Sequence, residues 1–270
     1  GVIDLGKPTG WRTRMRYRTT TVDSPGDVHG VPALRAYRSD ELVDASSCVI
    51  ADAAGHTQAR ERAADIRKSG DLLMARDSFE SRVMFHPDEG PGDEQPPLRH
   101  QLSIGENLLE FETPIDGFWQ VHPELIGRIV DTVLAWGDPR RGQVWWDLYA
   151  GVGPIAAALA DRVGPGGRVV AVESSSVAAD EARRVLQATY GHDVVTVERR
   201  DVRRWIRRAR EHAAVPDGVV LDPPRTGAGK PVIEALGAIR PWQILLVACD
   251  PVALGRDTLL LADQGYRLVR

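Results

Sequence analysis

The sequence predicts an α/β fold, in which a parallel, Rossmann-like sheet follows a smaller α+β N-terminal subdomain. From residue 143 onward, short apolar runs alternate with amphipathic segments, as in a parallel sheet covered by helices on both faces. A glycine turn at 151–153 follows the first of these runs. No apolar run reaches the roughly 20 residues that a transmembrane helix needs.

The N-terminal region, residues 1–112, carries short strand-like pieces and polar turns, with an acidic, proline- and glycine-rich loop at 87–97. Apolar residues then recur on one helical face and predict a helix over 123–134, with Pro123 suited to its first turn and Gly137 to its end. Strands are expected at 143–149, 168–173, 193–198, 217–222 and 243–248. Helices are expected at 154–163, 176–190, 201–212, 230–238 and 251–263.

Composition limits the class of protein. The 270 residues, 43% of them hydrophobic, suffice for one large or two modest domains, and the net charge of −4 excludes nucleic-acid binding by overall charge alone. Two cysteines, Cys48 and Cys249, cannot build a disulfide framework, a four-cysteine iron–sulfur cluster or a zinc ribbon. We therefore expect a cytoplasmic protein with no membrane segment and no metal cluster. The sequence opens with Gly1 rather than Met, as a fragment would.

The glycine turn suggests a nucleotide-like ligand. Residues 151–156 match the dinucleotide fingerprint G-x-G-x-x-G/A, and Glu173 ends the next predicted strand, where a carboxylate can accept hydrogen bonds from ribose hydroxyls. Asp147 argues against a dinucleotide, because a carboxylate at the strand end repels a pyrophosphate but attracts an ammonium or sulfonium cation. S-adenosylmethionine carries both cations and is the expected cofactor. The alternative is a plain tight turn between strand and helix.

Two further aspartates end predicted strands. Asp201 stands where a side chain can reach an adenine amino group, and an equally good alternative is that it caps the following helix. Asp222 opens the sequence Asp-Pro-Pro-Arg, whose prolines stiffen the loop and remove two backbone donors. We therefore expect the Asp222 carboxylate to be held over the carboxyl ends of the strands, where open α/β sheets bind ligands.

Cys249 follows the last predicted strand in the sequence Val-Ala-Cys-Asp-Pro, with Pro251 placed to begin a helix. A thiol at that edge can act as a nucleophile, and the helix N-terminus behind it favours the thiolate. The alternative is an inert buried cysteine, since free cysteines are often buried. Cys48 has no motif around it and is expected to be structural.

Arginines cluster in two places. Residues 11–18 alternate with a period of two, which predicts a strand whose one face binds phosphate through Arg12, Arg14, Arg16 and Arg18. Seven more arginines lie between 199 and 210, and we interpret this second cluster as a solvated helix face.

Four motifs stand in the order and approximate spacing of one enzyme family, at 118–123 (Phe-Trp-Gln-Val-His-Pro), 147–153, 222–225 and 249–251. With them, residues 100–270 resemble the RNA 5-methyluridine methyltransferases, class I S-adenosylmethionine-dependent enzymes that modify uridine in tRNA or 23S rRNA. Residues 11–18 resemble the first strand of that family's RNA-facing subdomain. The resemblance implies an RNA-facing subdomain of residues 1–112 and a methyltransferase domain of residues 113–270.

The resemblance also implies roles for single residues. Cys249 would be the nucleophile that adds to carbon 6 of uracil, and Asp250, in place of an asparagine, would hold the base by accepting its imide proton. Beside Asp147, Gly151 and Gly153, the cofactor and target-base pocket would be lined by Gln120, Tyr149, Pro154, Glu173, Asp201 and Asp222. Pro154 replaces a polar residue that is often found there.

The sequence departs from the family after Cys249. The family's general base is a glutamate in a His-Val-Glu-like segment beyond the last strands, and the sequence stops at Arg270 without it. The family's sheet also places a further strand beside the one ending at Ala248, which would otherwise be an exposed edge. We therefore expect the chain to lack its C-terminal segment. We expect a monomer whose partner is tRNA or 23S rRNA.

Two other functions remain open. Asp-Pro-Pro at a strand end also resembles a motif of amino-methylating enzymes, although Arg225 replaces their aromatic residue and Cys249 would then have no role. The absent glutamate is compatible with a degenerate member of the family that binds RNA or cofactor without turnover.

Overall fold

The structure is a computed structural model that describes residues 2, 4–24, 27–36, 38–66, 70–86, 96–212 and 214–269. Its contacts divide the chain into two compact units. The first contains residues 1–101 and 112–126, and the second contains residues 102–111 and 127–270. Each unit is thus built from two segments, which a single boundary between 112 and 113 does not describe. Of the acidic loop expected at 87–97, only residues 96 and 97 lie within the described part.

The first unit contains an antiparallel sheet in the order β3–β2–β1–β4–β5. Its strands are β1 (Arg14–Ser24), β2 (Asp27–Arg35), β3 (Leu42–Asp44), β4 (Asp71–Arg76) and β5 (Ser81–His86), and its helix is α1 (Ala53–Ala64). The buried side chains of Tyr17, Leu72 and Met74 form a core with Ala59 and Ala63 of α1. Two further strands, β6 (Leu98–Ile104) and β7 (Asn107–Thr113), pair with each other.

The second unit confirms the predicted α/β fold. Its strands are parallel in the order β10–β9–β8–β11–β12, namely β8 (Val144–Leu148), β9 (Arg168–Glu173), β10 (Val195–Arg199), β11 (Gly218–Leu221) and β12 (Gln243–Leu246). The strand order reverses between β8 and β11, and such a switch point is where α/β sheets bind ligands. β12 lies at one edge of this sheet, and its residues are half-buried.

The helices follow the predicted alternation. They are α2 (Leu125–Gly137), α3 (Pro154–Val163), α4 (Ser176–Tyr190), α5 (Val202–His212), α6 (Lys230–Ile239) and α7 (Pro251–Asp263). A core of aliphatic and tryptophan side chains lies between the sheet and helices α5 and α6, with Trp146 and Trp205 packed edge to face at 4.8 Å. None of the helices in the described part of the chain has the length and apolar character needed to cross a membrane.

α2 ends at Gly137, as predicted, and Asp138 after it adopts the left-handed conformation, with φ of 46°. A Cβ on Gly137 would lie 2.8 Å from the Trp145 ring, so close packing also requires this glycine. The start of α2 differs from the prediction, because Pro123 precedes the helix instead of standing in its first turn.

Candidate active site

Asp147 is the most unusual side chain at the carboxyl edge of the parallel sheet. It is fully buried, and neither of its carboxylate oxygens accepts a hydrogen bond of normal geometry from the described residues. Burial raises its pKa to about 8, the charges of Asp222 and Glu173 add to that rise, and the backbone N–H of Ala156, which lies outside that geometry, offsets part of it. A buried carboxylate without a partner is costly, so this position favours either a bound proton or a bound cation.

The glycine turn after β8 is fixed by Glu173. Its Oε2 accepts a hydrogen bond from the backbone N–H of Gly151 at 2.9 Å, and its Oε1 accepts one from the N–H of Ser175 at 2.7 Å. The two glycines have different tasks. A Cβ on Gly153 would lie 2.8 Å from Leu186, whereas a Cβ on Gly151 would meet nothing within 4 Å. Gly153 therefore allows close packing, and Gly151 leaves space beside the Asp147 strand end.

Tyr149 and Pro154 shape the two ends of this turn. Tyr149 has a φ of 69°, a left-handed conformation that is uncommon outside glycine and typical of functional sites. The backbone N–H groups of Tyr149 and Ala150 both donate to the Val172 carbonyl at 3.0 Å and hold that conformation in place. Burial raises the pKa of the Tyr149 hydroxyl to about 12. Pro154 is the first residue of α3, where a missing N–H costs nothing.

Asp222 follows β11 directly. Its backbone N–H donates to the Leu148 carbonyl at 3.2 Å, which ties it to the end of the Asp147 strand. Burial raises the pKa of its carboxyl to about 6. The Asp222 charge also raises the pKa of Asp147. The carboxyl edge between β8 and β11 therefore holds two carboxyl groups that are hard to ionise together.

Asp201 and Asp250 both cap helices. The Asp201 Oδ1 accepts a hydrogen bond from the N–H of Arg204 at 3.1 Å, at the start of α5. The Asp250 Oδ1 accepts one from the N–H of Ala253 at 2.8 Å, at the start of α7, with Pro251 in the first turn as expected. A capping role of Asp201 is thus what the structure describes, and contacts of either aspartate with adenine or uracil stay predictions.

Cys249 stands one residue before the cap of α7 and is exposed. The alternative of a buried cysteine is therefore wrong, and the role of Cys249 as a nucleophile stays a prediction. Cys48 is half-buried and packs against the core of the first unit, as a structural residue would.

Gln120 belongs to the first unit and is half-buried. The neighbouring Trp119 stacks on the His100 ring at 4.2 Å, and the N–H and hydroxyl of Thr13 both donate to the Val121 carbonyl. The segment around Gln120 is therefore fixed on both sides. Its contact with a cofactor stays a prediction.

The expected arginine face of β1 needs correction at two positions. Arg12 precedes the strand, and its Nε donates to the Arg14 carbonyl. Arg14 donates through Nη2 to the carbonyls of Ile115, at 2.7 Å, and Gly117, and burial lowers its pKa to about 10. These contacts hold residues 115–117 in place instead of leaving the guanidinium free.

The other two arginines of this face, Arg16 and Arg18, are exposed over 65% and 39% of their side chains. Both lie near Asp71, at 3.9 Å and 2.5 Å. The side chains of Arg16 and Arg18 are therefore exposed to solvent, as the alternation of residues 11–18 predicted.

A buried aspartate on α7 was missed by sequence reasoning. Asp257 is 1% exposed, and its Oδ2 accepts hydrogen bonds from the N–H of Ala228 at 2.7 Å and of Gly229 at 3.4 Å. Its Oδ1 accepts two from Arg256, which also donates to the Thr226 carbonyl. Asp257 thus fastens the loop that begins with Asp222 to the helix that follows Cys249. Its spacing of four residues from the buried Ala253 was the available signal, since both lie on one side of α7.

Replacing Asp257 by alanine is expected to lower the free energy of unfolding by about 2–4 kcal/mol, because Arg256 and two backbone N–H groups lose their acceptor. Asp263→Ala, at an exposed position of the same helix, is the matched control and should change stability by less than about 0.5 kcal/mol. Urea unfolding of both variants measures the difference. Equal midpoints would show that the loop is not held by Asp257.

No protein-family model matches the chain. The chain is nevertheless similar in sequence to several named proteins. A protein of Streptomyces avermitilis named as an uncharacterized RNA methyltransferase is 33% identical over 291 residues, which cover 98% of this chain and 64% of the relative. A 23S rRNA (uracil(1939)-C(5))-methyltransferase of Chromohalobacter salexigens is 33% identical over 177 residues, or 64% of this chain and 34% of the relative.

A solved structure has a similar fold. The Pyrococcus abyssi tRNA (uracil-54, C5)-methyltransferase, in complex with S-adenosyl-L-homocysteine, matches with a TM-score of 0.59 and 17% identity, over 94% of this chain and 70% of that protein. The chain spans less than two thirds of the length of the two curated relatives above. The chain is therefore similar to proteins named as RNA methyltransferases, among them a uracil-C5 methyltransferase, which supports the family that its motifs predicted.

Proposed function

We propose that this protein transfers a methyl group from S-adenosylmethionine to carbon 5 of a uridine in RNA, through a covalent adduct with Cys249. The observation that carries the proposal is the carboxyl edge of the parallel sheet. There the chain places a buried carboxylate and a glycine turn with open space at the end of β8, and an exposed thiol after β12.

The acidic strand ends suit a cationic cofactor. Asp147 is buried without a hydrogen bond of normal geometry, and the charges of Asp222 and Glu173 oppose its ionisation, so an ammonium or sulfonium cation would relieve both penalties. A pyrophosphate would add to the repulsion. When bound, S-adenosylmethionine supplies an electrophilic methyl group. The chain's part is to hold it through Asp147, Glu173 and the open side of Gly151.

Uracil needs activation, because its carbon 5 is a weak nucleophile. Addition of the Cys249 thiolate to carbon 6 forms a sulfur–carbon bond and makes carbon 5 enolate-like, so that it can take the methyl group. A base must then remove the proton from carbon 5, and the sulfur–carbon bond breaks to release the thiolate. The exposed position of Cys249 at the start of α7 favours this role, since its sulfur is accessible to a uracil base.

The RNA would be held by local basic surface, as the net charge of −4 provides no general attraction. Arg16 and Arg18 of β1 are candidates for phosphate contacts in the first unit, because they are exposed. The target uridine has to leave its stack to reach a thiol, as in other enzymes that modify bases. The named relatives act on tRNA or on 23S rRNA, and either is a candidate substrate.

Methylation of an exocyclic amine is the second candidate, supported by Asp222-Pro-Pro. Arg225 is exposed where that chemistry uses an aromatic side chain to stack the base, and the exposed Cys249 would have no task. Uridine methylation therefore accounts for more of the site.

Calorimetry tests the cofactor assignment. S-adenosylmethionine is expected to bind more tightly than NAD, and Glu173→Ala should weaken it by at least about tenfold, because the glycine turn loses the carboxylate that holds it. Glu198→Ala, another carboxylate at the end of a parallel strand, serves as the control. Tighter binding of NAD, or an unchanged affinity of the Glu173 variant, would contradict the assignment.

A further inference from the structure

Helix α5 (Val202–His212) carries an unusual concentration of positive charge. Residues 199–212 contain seven arginines and two carboxylates, Asp201 and Glu211, which gives +5, whereas the whole chain has a net charge of −4. The remainder of the chain is therefore at −9. The arginines are Arg199, Arg200, Arg203, Arg204, Arg207, Arg208 and Arg210, and all seven are exposed.

The position of α5 is fixed by its opposite side. Val202, Trp205, Ile206 and Ala209 are buried in the core of the second unit, and Trp205 packs edge to face on Trp146. The buried side of α5 therefore fixes the helix in place, and its five arginines lie on the exposed side. We call Arg203, Arg204, Arg207, Arg208 and Arg210 the arginine face.

Other helices of this unit show how the chain builds an ordinary solvated face. In α4, Arg183 pairs with Asp180 at 2.6 Å and Arg184 with Glu181 at 2.5 Å. In α6, Lys230 lies 3.7 Å from Glu234. Among the side chains that the structure describes, which do not include that of Glu211, the arginine face has no such ion pair with a carboxylate, and the Oδ1 of nearby Asp201 caps the helix instead.

The spacing of the arginines makes the face self-repelling. Arg203 and Arg207 stand four residues apart, as do Arg204 and Arg208, and like charges at this spacing destabilise a helix. A bound polyanion would relieve that repulsion. The solvated helix face expected from sequence alone would carry carboxylates that pair with its arginines, as in α4 and α6, but residues 203–210 contain no carboxylate.

We propose that the arginine face binds the phosphate backbone of the RNA substrate. The inference rests on the proposed function, to which it adds a second RNA contact, on the catalytic unit itself. From Arg203 to Arg210 the face extends roughly 10 Å along the helix, over which a nucleic-acid backbone presents several phosphates. Guanidinium groups bind phosphate through two parallel hydrogen bonds, and contacts of this kind position an RNA without reading its sequence.

The location of the face agrees with this role. α5 begins directly after β10, at the carboxyl edge of the sheet, and the charge of Arg203 acts on Tyr149 in the turn that follows β8. RNA held along α5 would thus pass the edge at which the candidate site lies.

The test compares two triple variants with the parent chain. Arg203→Gln, Arg207→Gln and Arg210→Gln together remove one stripe of the arginine face. Arg140→Gln, Arg162→Gln and Arg183→Gln together remove the same charge from elsewhere in the second unit, including two arginines that pair with carboxylates. Thermal unfolding and S-adenosylmethionine calorimetry establish that both variants fold. Affinity for an unmodified tRNA transcript and for a 23S rRNA fragment is then measured between about 50 and 300 mM salt, which is about one third to twice physiological ionic strength.

We expect the variant with Arg203, Arg207 and Arg210 replaced to bind RNA at least about 30-fold more weakly than the parent at low salt. Its slope of log affinity against log salt should fall by about 0.7–0.9 per lost phosphate contact. The control variant should have an affinity and a slope close to those of the parent. Equal losses in both variants would indicate bulk charge and overturn the inference. An RNA affinity of the arginine-face variant equal to that of the parent would also overturn the inference. The proposed function would not be affected in that case, because the parent still binds RNA. If the parent bound cofactor but no RNA, both proposals would fail. Loss of binding to phosphatidylserine vesicles alone would assign the face to a lipid surface and overturn the RNA contact.

Discussion

Replacing Cys249 by alanine is expected to abolish both the covalent protein–RNA adduct and methyl transfer, lowering the latter by more than about 10³-fold. Without the thiolate, carbon 5 of uracil would have to attack the methyl group unaided. Cofactor affinity should stay within about twofold, because the residues proposed to hold the cofactor follow β8, β9 and β11 rather than β12. The measurement is incorporation of a labelled methyl group into RNA, together with a denaturing gel for the adduct.

Cys48→Ala is the matched control, since the chain has only these two cysteines. Cys48 packs against the core of the first unit, so its loss should change stability but leave methyl transfer per folded molecule unchanged. Methyl transfer that persisted in the Cys249 variant would remove the covalent mechanism from the proposal.

The fate of the adduct depends on the base that removes the carbon 5 proton. Within residues 250–270 the carboxylates are Asp250, Asp257 and Asp263. Asp250 caps α7, Asp257 is buried against the 226–229 loop, and Asp263 lies at the other end of the helix, roughly 20 Å from Asp250. RNA that stays attached to residues 1–270 would show that no carboxylate of this chain removes the proton. Multiple turnover would show that one of them, such as Asp222 or Asp250, does.

An Asp147→Asn variant is expected to be more stable than the parent at pH 8 without cofactor, and to lose most of its cofactor binding. The pKa of Asp147 is about 8 in the folded chain, against 3.8 as its ordinary value. Between these two values the folded state holds a proton that the unfolded state releases. Stability of the parent therefore falls as the pH rises through this window, by at most about 1.4 kcal/mol per pH unit, whereas asparagine has no proton to lose.

The Asp147→Asn variant, although more stable, should bind the cofactor more weakly than the parent. An asparagine cannot balance a sulfonium or ammonium charge, so affinity is expected to fall by at least about 30-fold, or 2 kcal/mol. Parent affinity should also rise from pH 6 to pH 8, as Asp147 and Asp222 ionise, with pKa values of about 8 and about 6 in the free chain. Thermal unfolding with and without cofactor across this pH range measures both effects. A parent that gained stability over the Asn variant as the pH rose would contradict an unpartnered Asp147.

The alternation of strands and helices in the second unit could be predicted because local signals determine it. The bounds of α3, α4 and α7 agree with the prediction to the residue, since proline, serine or aspartate marks their starts and apolar periodicity marks their bodies. Gly137 shows the limit of such signals. Its packing against the Trp145 ring depends on a neighbouring strand and could not be read from the helix alone.

Side-chain partners across long sequence distances could not be predicted. Arg14 looked like one member of a phosphate-binding row, but the carbonyls that it binds lie 101 and 103 residues further along the chain. Asp257 was overlooked for the same reason, as its backbone partners lie 28 and 29 residues earlier. Local partners were easier to predict, since helix capping by Asp201 was already one of two alternatives from the sequence, and its Oδ1 accepts a hydrogen bond from the N–H of Arg204.

The most direct test of the central claim identifies the atoms that become joined. The chain is incubated with S-adenosylmethionine and a uridine-containing tRNA transcript, digested with nuclease and protease, and the peptide containing Cys249 is examined by mass spectrometry. We predict a peptide that carries one uridine nucleotide with an added methyl group on carbon 5, attached through the Cys249 sulfur. An unmodified Cys249 peptide accompanied by nucleosides methylated on an exocyclic amine would contradict the account.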